Sequence, residues 1–342
     1  MEAIILHNKG GADQLKFGEA QIPKIKENEV LVKVKAASVN HLDIWVREGN
    51  FPIRYPIILG CECAGDVAEI GKNVQGFNKG DKVAVMPSIP CRQCGFCLAG
   101  NDNLCESLKR LGITVNGCYA EYVKVPAQNL LLMNNTLSYE GAASVPIVFG
   151  TAYRVLISLA KIKVGETVLI MAAGSGVGTC AIQIAKLAGA RVITAAGTDE
   201  KLVKAGSLGA DFTVNYSKIP DFNKEVMCFT NGEGADVVIE QLGGESFNRS
   251  LICLKRGGRI VVLGTTSKNS FDIDMRNFYR NNYKMIGTSG TTHKEVREVF
   301  ELVKVGKLKP IIDKIFPLKD ASLAHKYMEG RKNFGKIVLR VQ

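Results

Sequence analysis

The sequence lacks a long apolar run. Lys, Glu, Asp or Gly interrupts every hydrophobic stretch well before the roughly 18 residues that a membrane-spanning helix needs. The N-terminus has no basic start, no long apolar core and no small-residue cleavage site, which together mark a secretion signal. We therefore expect a cytoplasmic protein with no membrane partner.

Proline is scarce, with 10 residues among 342, while 46% of the chain is hydrophobic and 23% is charged. This composition disfavours disorder, and the length suits two domains. A net charge of +11 is compatible with nucleic-acid binding. The basic residues are spread along the chain, however, and the densest clusters are only the pairs Lys255-Arg256 and Arg331-Lys332. We therefore expect no nucleic-acid partner.

The two halves of the chain differ in pattern. The first consists of short strands separated by turns, predicted at residues 29–36, 64–70, 81–85 and 119–125. Farther on, apolar strands alternate with amphipathic helices, which predicts a parallel sheet covered on both faces. These strands are predicted at residues 167–171, 191–195, 212–215, 235–239 and 259–263. The clearest helices are predicted at residues 177–188 and 295–305, and a last strand at residues 336–341.

A glycine-rich loop lies between the first strand of the second half and the helix that follows. It comprises Gly174, Ser175, Gly176, Val177 and Gly178. Glycines let the backbone approach a pyrophosphate held at the helix N-terminus. The flanking strand, helix and second strand favour dinucleotide binding over an ordinary tight turn. A basic surface also suits a polyanionic dinucleotide.

The second strand of this half ends without a carboxylate. Ala196 stands about where an NAD-binding fold places the acid that holds the ribose hydroxyls. Small residues followed by a lysine predict instead a pocket for the 2′-phosphate of NADPH. The residues of this predicted pocket are Gly197, Thr198 and Lys201. NADH stays open because Asp199 and Glu200 follow closely, and Tyr216 either covers the adenine or packs in the core.

Ten cysteines without a secretion signal indicate a reducing compartment, where clustered thiols bind metal or do chemistry more often than they pair. Four of them, with spacing C-x2-C-x2-C-x7-C, are Cys91, Cys94, Cys97 and Cys105. Four thiolates with no open position predict a closed, tetrahedral structural zinc site in a lobe of residues 90–106. An iron–sulfur cluster and free cysteines remain alternatives.

These motifs resemble those of the medium-chain dehydrogenase/reductase family, which includes zinc alcohol dehydrogenases and zinc-free quinone reductases. The resemblance covers essentially the whole chain. Besides the lobe and the loop, it rests on His41-Leu42-Asp43, Gly60-Cys61-Glu62, Lys79-Gly80-Asp81, Gly306-Lys307-Leu308 and Phe334-Gly335-Lys336. It implies an α/β fold, with a Rossmann domain of doubly wound parallel sheet inserted in a β-rich GroES-like catalytic domain. The implied divisions are 1–148 and 288–342 for the catalytic domain and 149–287 for the Rossmann domain.

The resemblance is incomplete at the catalytic metal. The zinc alcohol dehydrogenases hold this metal with a Cys, a His and a second Cys, and the corresponding positions here are Asn40, Cys61 and Ile147. The hydroxyl residue and the His of the family's proton relay are replaced by Leu42 and Trp45. The resemblance therefore implies that both the catalytic zinc and the relay are missing.

A rebuilt metal site is the alternative at this position. Cys61 and Cys63 alternate along a strand and can converge, because alternate side chains of a strand face the same side. A third ligand would come from His41 or Asp43. Otherwise both cysteines are small packing residues.

An Asn at the position of the missing Cys ligand, Asn40 here, resembles the pattern of the quinone-reductase branch. In that branch hydride passes to a quinone or to the β-carbon of an enone. The enoyl-thioester reductase branch carries a proton-donating Tyr where this chain has Phe51, which disfavours an enoyl-CoA substrate unless Tyr55 substitutes. Three further predictions come from the resemblance. Thr151 would pack on the nicotinamide, Gly264 and Thr265 would meet its carboxamide, and Lys336 would lie near the pyrophosphate.

The sequence thus predicts an NADPH-dependent oxidoreductase that transfers hydride to a quinone, an activated alkene or a carbonyl without catalytic zinc. One structural zinc per subunit is expected. The alternatives are a zinc-dependent alcohol dehydrogenase with atypical ligands and a non-catalytic NADPH-binding protein. We expect a small-molecule substrate and a homodimer or homotetramer.

Overall fold

A computed structural model describes residues 1–267 and 270–341. The chain forms two compact units, here called the outer unit (Met1–Gly150 with Gly290–Gln342) and the inserted unit (Thr151–Ser289). The predicted divisions followed residues 148 and 287, and the observed divisions follow Gly150 and Ser289. No helix within the described residues has the length and apolar character needed to cross a membrane.

The outer unit is built mainly of β-structure. Its strands are β1 (Glu2–Leu6), β2 (Leu15–Glu19), β3 (Glu29–Val39), β4 (Ile57–Ile58), β5 (Cys63–Ile70), β6 (Lys82–Val85), β7 (Ser88–Ile89), β8 (Lys109–Arg110), β9 (Tyr122–Pro126), β10 (Leu130–Leu132), β17 (Ile312–Pro317) and β18 (Lys336–Arg340). Its helices are α1 (His41–Glu48), α2 (Gly95–Leu98), α3 (Tyr139–Ala143), α10 (His293–Lys304) and α11 (Ala321–Glu329), and α4 (Val148–Tyr153) crosses into the inserted unit. The main sheet has the order β10-β6-β5-β3-β18-β17, with β9 also paired to β3.

Strand β3 is the centre of this sheet and leads directly to the site. Val30, Val32 and Val34 are fully buried at alternate positions, as expected for a strand with one face on the core. On one side β3 pairs antiparallel with β5, with Ala37 opposite Cys63, and on the other it pairs antiparallel with β18. The end of β3, the start of β5 and the start of the C-terminal strand therefore meet at one edge of the sheet.

The inserted unit is a parallel sheet with helices between its strands. The strands are β11 (Thr167–Ile170), β12 (Arg191–Ala196), β13 (Phe212–Asn215), β14 (Ala235–Glu240), β15 (Leu254–Val262) and β16 (Lys284–Gly287). The helices are α5 (Gly176–Leu187), α6 (Asp199–Ser207), α7 (Phe222–Phe229), α8 (Gly244–Ile252) and α9 (Met275–Arg280), preceded by a π-helix at Arg154–Leu159. The order β13-β12-β11-β14-β15-β16, with every pair parallel, is the Rossmann arrangement.

Apolar side chains from the four central strands of this sheet share one core. They are Leu169, Ile193, Val238 and Ile260, all fully buried. Burying each such side chain contributes about 2 kcal/mol relative to leaving it in water. The fold class predicted from the sequence is confirmed.

Several predicted element boundaries differ from the observed ones, most of all that of the strand predicted from residue 259, which begins at Leu254. Two of the differences have identifiable reasons. The strand predicted from residue 119 begins at Tyr122, because Tyr119 instead pairs its backbone with Leu59. The helix predicted from residue 295 begins at His293, because Thr292 caps it. The Thr292 hydroxyl accepts the N–H of Glu295, whose side chain accepts the N–H of Thr292.

Candidate functional site

The four lobe cysteines converge. The sulfur atoms of Cys91, Cys94, Cys97 and Cys105 all lie within 4.8 Å of one another. Within residues 1–267 and 270–341, no other group of three or more potential ligands is this close. Four sulfurs at this spacing can each bond one central ion at about 2.3 Å, as in a tetrahedral zinc site.

Backbone amides favour negative charge on these sulfurs. The N–H of Cys91 donates to Sγ of Cys105 at 3.2 Å, and the N–H of Cys94 donates to Sγ of Cys91 at 3.4 Å. Donation from the N–H groups of Cys97 and Glu106 lowers the pKa of Cys94 to about 6. Desolvation raises the pKa of Cys97 to about 12, a cost that a bound cation offsets. These thiolate donors fit zinc, and they are the residues that would hold it.

The lobe is tied to the start of α10. Arg92 forms an ion pair with Asp102 at 3.0 Å, and the N–H of His293 donates to the same carboxylate at 3.1 Å. Nε2 of His293 lies 2.7 Å from the carbonyl oxygen of Ser88 and donates to it, so its Nδ1 accepts from Arg92. Burial lowers the pKa of His293 to about 4, which keeps the ring neutral in this role.

A second polar cluster lies where β3, β5 and β18 meet, and it contains the position of the family's first catalytic ligand. The side chains of Lys336 and Glu62 are 4% and 0% exposed and form an ion pair at 3.0 Å. The ammonium group of Lys336 also donates to Asn40 Oδ1 at 2.6 Å and to the carbonyl oxygen of Val39 at 3.0 Å. All three of its N–H donors are therefore used. We call Asn40, Glu62 and Lys336 the Asn40 cluster.

Glu62 is the acceptor that holds this cluster together. Its Oε1 also accepts from Asn40 Nδ2 at 3.0 Å and from the hydroxyl of Ser38 at 2.5 Å. Its Oε2 accepts the backbone N–H of Ile147 at 2.7 Å. The three positions that replace the family's metal ligands thus divide: Asn40 and Ile147 contact Glu62, and Cys61 belongs to the neighbouring cluster.

That neighbouring cluster is centred on Asp43, which is buried at the start of α1. Its Oδ1 accepts from the thiol of Cys61 at 3.2 Å, and its Oδ2 accepts from the hydroxyl of Tyr119 at 3.0 Å and from the N–H of Asn40 at 2.8 Å. Burial raises the pKa of Asp43 to about 6. Burial likewise raises the pKa of Cys61, so the thiol stays protonated at neutral pH.

The cluster continues through a buried histidine. Nε2 of His325 lies 3.4 Å from the Tyr119 hydroxyl, and its Nδ1 lies 3.3 Å from Nη1 of Arg47, which can only donate. The proton of His325 is therefore on Nε2. Burial lowers the pKa of His325 to about 3, and Arg47 forms an ion pair with Glu329. We call Cys61, Asp43, Tyr119, His325 and Arg47 the Asp43 chain.

The residues proposed for a rebuilt catalytic metal site do not converge in the structure. Cys61 contacts Asp43, whereas Cys63 interacts with the thiol of Cys118. His41 packs edge-on against Trp45, with ring centroids 5.4 Å apart. These residues do not form a group of three converging ligand atoms in the described part of the chain.

In the inserted unit, the glycine-rich loop forms the turn into α5. Ser175 caps α5 by accepting the N–H of Gly178 at 2.9 Å. A Cβ atom at Gly178 would lie 2.4 Å from the carbonyl oxygen of Ala172, so only glycine allows the helix to pack this closely. Ala172 itself has a positive φ of 55°. A glycine-rich turn into a helix N-terminus is the kind of site that can hold a pyrophosphate, and this contact stays a prediction.

The residues of the predicted 2′-phosphate pocket lie together. A Cβ atom at Gly174 would lie 2.7 Å from Cδ of Lys201, and one at Gly197 would lie 3.3 Å from the ring of Tyr216. Thr198 is the N-cap of α6. Lys201 therefore lies over the glycine-rich loop, and Tyr216 lies beside the end of β12.

Asp199 is one of the two carboxylates that left NADH as an alternative cofactor, and in the structure it already has partners. It accepts from Asn215 Nδ2 at 2.6 Å and from Lys218 Nζ at 2.5 Å. The Lys218 hydrogen bond lowers the pKa of Asp199. Three residues were predicted to contact the nicotinamide. Thr151 lies on α4, and Gly264 and Thr265 follow β15. Their cofactor contacts, like that of Lys336 with the pyrophosphate, stay predictions.

Sequence reasoning missed several members of these clusters. Glu62 was noted only as part of a motif, and Tyr119, His325 and Arg47 were not singled out. A buried acid in Gly60-Cys61-Glu62 was the only available signal. Nothing local marks His325, because its partner Tyr119 is 206 positions away in the chain.

Comparison with known proteins agrees with this geometry. Residues 26–135 match the alcohol dehydrogenase GroES-like domain, and residues 176–305 match the zinc-binding dehydrogenase family. An NAD-dependent alcohol dehydrogenase of Sulfolobus acidocaldarius is 37% identical over the whole of both chains. An acryloyl-coenzyme A reductase of Metallosphaera sedula is 32% identical, covering 99% of each chain. The crystal structure of an NAD-dependent alcohol dehydrogenase is 40% identical in sequence. Its superposition on this chain covers 100% of both chains with a TM-score of 0.97.

The chain therefore belongs to the zinc-containing alcohol dehydrogenase branch of the medium-chain dehydrogenases/reductases. It is an oxidoreductase whose family uses a nicotinamide cofactor and zinc.

Proposed function

We propose that the protein is an NADPH-dependent reductase of activated alkenes or quinones that works without a catalytic metal. The observation that supports this most is the Asn40 cluster. At the position of the family's first metal ligand, the side-chain oxygen of Asn40 is held 2.6 Å from the ammonium group of Lys336. The Lys336 ammonium group therefore already binds the oxygen that a metal would need, and the side chain of Ile147 has no atom that can bind a metal.

The loss of metal-ligating side chains at this position affects alcohol oxidation and enone or quinone reduction differently. Oxidising an alcohol requires removal of its hydroxyl proton, which a zinc ion assists by stabilising the alkoxide. An enone or quinone is already electron-poor and needs mainly correct placement and a hydrogen bond to the developing oxyanion. When bound, NADPH supplies the hydride. The similarity to an acryloyl-coenzyme A reductase supports an α,β-unsaturated carbonyl as the acceptor.

Two features of the inserted unit support NADPH as the donor. Gly197 and Tyr216 lie beside one another at the end of β12, and Lys201 lies over Gly174 of the glycine-rich loop, which supports a 2′-phosphate site between them. Asp199 already accepts from Lys218 and Asn215, which would compete with ribose hydroxyls for its oxygens. A lysine that donates a charge-assisted hydrogen bond to the phosphate would favour NADPH over NADH.

One observation favours a second candidate. The similarity to NAD-dependent alcohol dehydrogenases supports alcohol oxidation with a catalytic zinc on atypical ligands. Of the ligands considered for such a site, only Cys61 and Asp43 are in contact. Metal content separates the two candidates, because this one requires two zinc ions per subunit and the first requires only the lobe zinc.

The first experiment is an assay of purified protein with NADPH and NADH against an enone, an enoyl thioester, an ortho-quinone and a primary alcohol. We expect NADPH-dependent reduction of the enone or quinone, and slow or absent alcohol oxidation. Asn40→Ala should lower turnover far more than it weakens NADPH binding, with the exposed Asn73→Ala as control. Ethanol oxidation abolished by a chelator that spares the lobe would contradict the proposal. Tight NADPH binding without any turnover would point to a non-catalytic binding protein.

The second experiment tests the cofactor. Lys201→Ala should weaken NADPH binding by about tenfold or more and leave NADH nearly unchanged, since a charge-assisted hydrogen bond is lost. Lys204→Ala is the matched control, because Lys204 lies on the same helix and pairs with Glu200 at 2.7 Å. Fluorescence titration of both cofactors measures the effect. A wild-type preference for NADH would contradict the assignment.

A further inference from the structure

The Asn40 cluster places a complete ion pair where water does not reach. Taking the charges of Lys336 and Glu62 out of water costs several kcal/mol per ion before their attraction is counted. Glu62 also accepts hydrogen bonds from the hydroxyl of Ser38 and from the N–H of Ile147, which helps to compensate this cost. An arrangement this costly to bury calls for a role that an apolar core could not fill.

The ion pair fixes the orientation of the Asn40 amide. Lys336 can only donate, so the amide oxygen of Asn40 must face it, and the amide nitrogen must face Glu62. One N–H of this nitrogen donates to Glu62 at 3.0 Å. The other faces the carbonyl oxygen of Ser38, which lies 3.5 Å from the amide nitrogen, the outer limit of a hydrogen bond. Asn40 therefore has one weakly engaged donor.

The amide is also polarised. A cation 2.6 Å from its oxygen draws electron density away from the nitrogen, and hydrogen bonds in a low-dielectric interior strengthen one another. The weakly engaged N–H becomes a stronger donor than a free amide would provide. A donor of this kind stabilises charge that develops on a substrate oxygen.

We propose that Lys336 is a positioning residue that orients and polarises Asn40, so that the second N–H of Asn40 binds the oxyanion of the substrate. This rests on the proposed function. When bound, NADPH would supply the hydride for a C–H bond at the β-carbon and leave as NADP+. The C=C π pair would shift to the bond between the α-carbon and the carbonyl carbon, and the carbonyl π pair would move onto the oxygen, whose negative charge Asn40 would stabilise. The resulting enolate then takes a proton from solvent at the α-carbon. Asn40 and Lys336 keep all their protons.

The pyrophosphate contact expected for Lys336 stays a prediction, and the same geometry shows what that contact would require. Its three N–H donors already reach Val39, Asn40 and Glu62. The position is fixed by the pairing of β18 with β3, in which Ile337 lies opposite Val39. To reach a phosphate, the ammonium group would have to leave Glu62 as an unpaired buried charge.

The test compares two double variants. Lys336→Met with Glu62→Gln removes the buried pair without leaving an uncompensated charge, which Lys336→Met alone would do. Arg340→Met with Glu140→Gln is the matched control, because it removes a partly exposed ion pair whose arginine lies on the same strand as Lys336. Thermal unfolding and circular dichroism establish that each variant is folded. NADPH affinity, enone turnover and the carbonyl stretching frequency of an enone bound with NADP+ are then measured.

We expect the Lys336/Glu62 variant to bind NADPH within about twofold of wild type while its kcat falls about 100-fold, the usual loss for one oxyanion donor. The carbonyl stretch of the bound enone should shift back toward its value in water. The control variant should match wild type in all three. Unchanged kcat, or weaker NADPH binding with kcat retained, would overturn the inference alone. A wild-type protein that reduces neither enones nor quinones would overturn the proposed function as well.

Discussion

Two sites in the outer unit correspond to metal sites of the family, and the chain treats them in opposite ways. The lobe brings four sulfurs within 4.8 Å of one another, and backbone N–H groups donate to them, so its ligands suit a bound cation. The Asn40 cluster provides its own cation, the buried ammonium group of Lys336. The difference shows that a buried carboxylate such as Glu62 needs a positive charge nearby, which either a metal or a side chain can supply.

The two sites also differ in what surrounds them. Three of the lobe cysteines are only partly buried, and only Cys105 is buried. The Asn40 cluster is continuous with the Asp43 chain through the N–H of Asn40, which donates to Asp43 at 2.8 Å. Breaking the lobe should therefore have a local effect on metal content, whereas breaking the buried clusters should change stability and its pH dependence.

The largest effect is expected at the lobe. Cys97→Ser should reduce bound zinc from one equivalent per subunit to essentially none, because a closed four-thiolate site depends on every ligand. Metal analysis of the purified protein measures this. Cys228→Ser is the control, since Cys228 is exposed and lies outside the lobe.

Metal analysis also tests whether the lobe and the buried clusters differ in metal binding. Two equivalents in the wild type, with the second lost in Cys61→Ser, would show that the Asp43 chain holds a metal and that the two sites are alike. One equivalent that survives Cys61→Ser would sharpen the contrast between them.

The next largest effect concerns the pH dependence of the Asp43 chain. Burial raises the pKa of Asp43 to about 6 from 3.8, so the folded state binds the proton more tightly than the unfolded state. Its contribution to the free energy of unfolding therefore falls as the pH rises through that window, by about 3 kcal/mol. Burial lowers the pKa of His325 to about 3 from 6.5. Its contribution is fully present above pH 6.5 and is lost as the pH falls, by about 5 kcal/mol.

The two residues thus oppose one another between about pH 4 and 6. Relative to wild type, Asp43→Asn should make the free energy of unfolding rise more steeply with pH, and His325→Gln should make it rise less or fall. Urea denaturation at several pH values measures both slopes. His7→Gln and Asp13→Asn, at exposed positions, should leave the wild-type slope unchanged. Identical slopes in all four variants would show that burial of the chain does not control its protonation.

The smallest effect is expected at an exposed ion pair, which completes the contrast with the buried one. Lys218 neutralises Asp199 close to the predicted 2′-phosphate pocket. Lys218→Met should weaken NADPH binding by only about threefold relative to NADH, because exposed pairs are screened by solvent. Lys224→Met is matched, since Lys224 pairs with Asp221 at 3.0 Å and is similarly exposed. Titration at low and high salt should show the difference shrinking as salt is added. A loss as large as that of Lys201→Ala would place Lys218 in direct contact with the phosphate.

Much of this protein follows from local patterns in the sequence. The alternation of apolar strands and helices predicted the parallel sheet, because each periodicity reports which face of an element is buried. The cysteine spacing predicted the convergence of Cys91, Cys94, Cys97 and Cys105, because all four lie within one short lobe. The glycine-rich loop was placed correctly at the start of α5, since Gly178 is required by the backbone it touches.

Only the tertiary structure decided how the buried side chains pair. Lys336 and Asn40 are 296 positions apart, and the pairing of β18 with β3 brings them together. The sequence predicted neither the pairing of Lys336 with Asn40 and Glu62 nor the burial of His325. A side chain's partners in the core depend on strand order and register, which involve the whole chain, whereas a motif depends only on its neighbours.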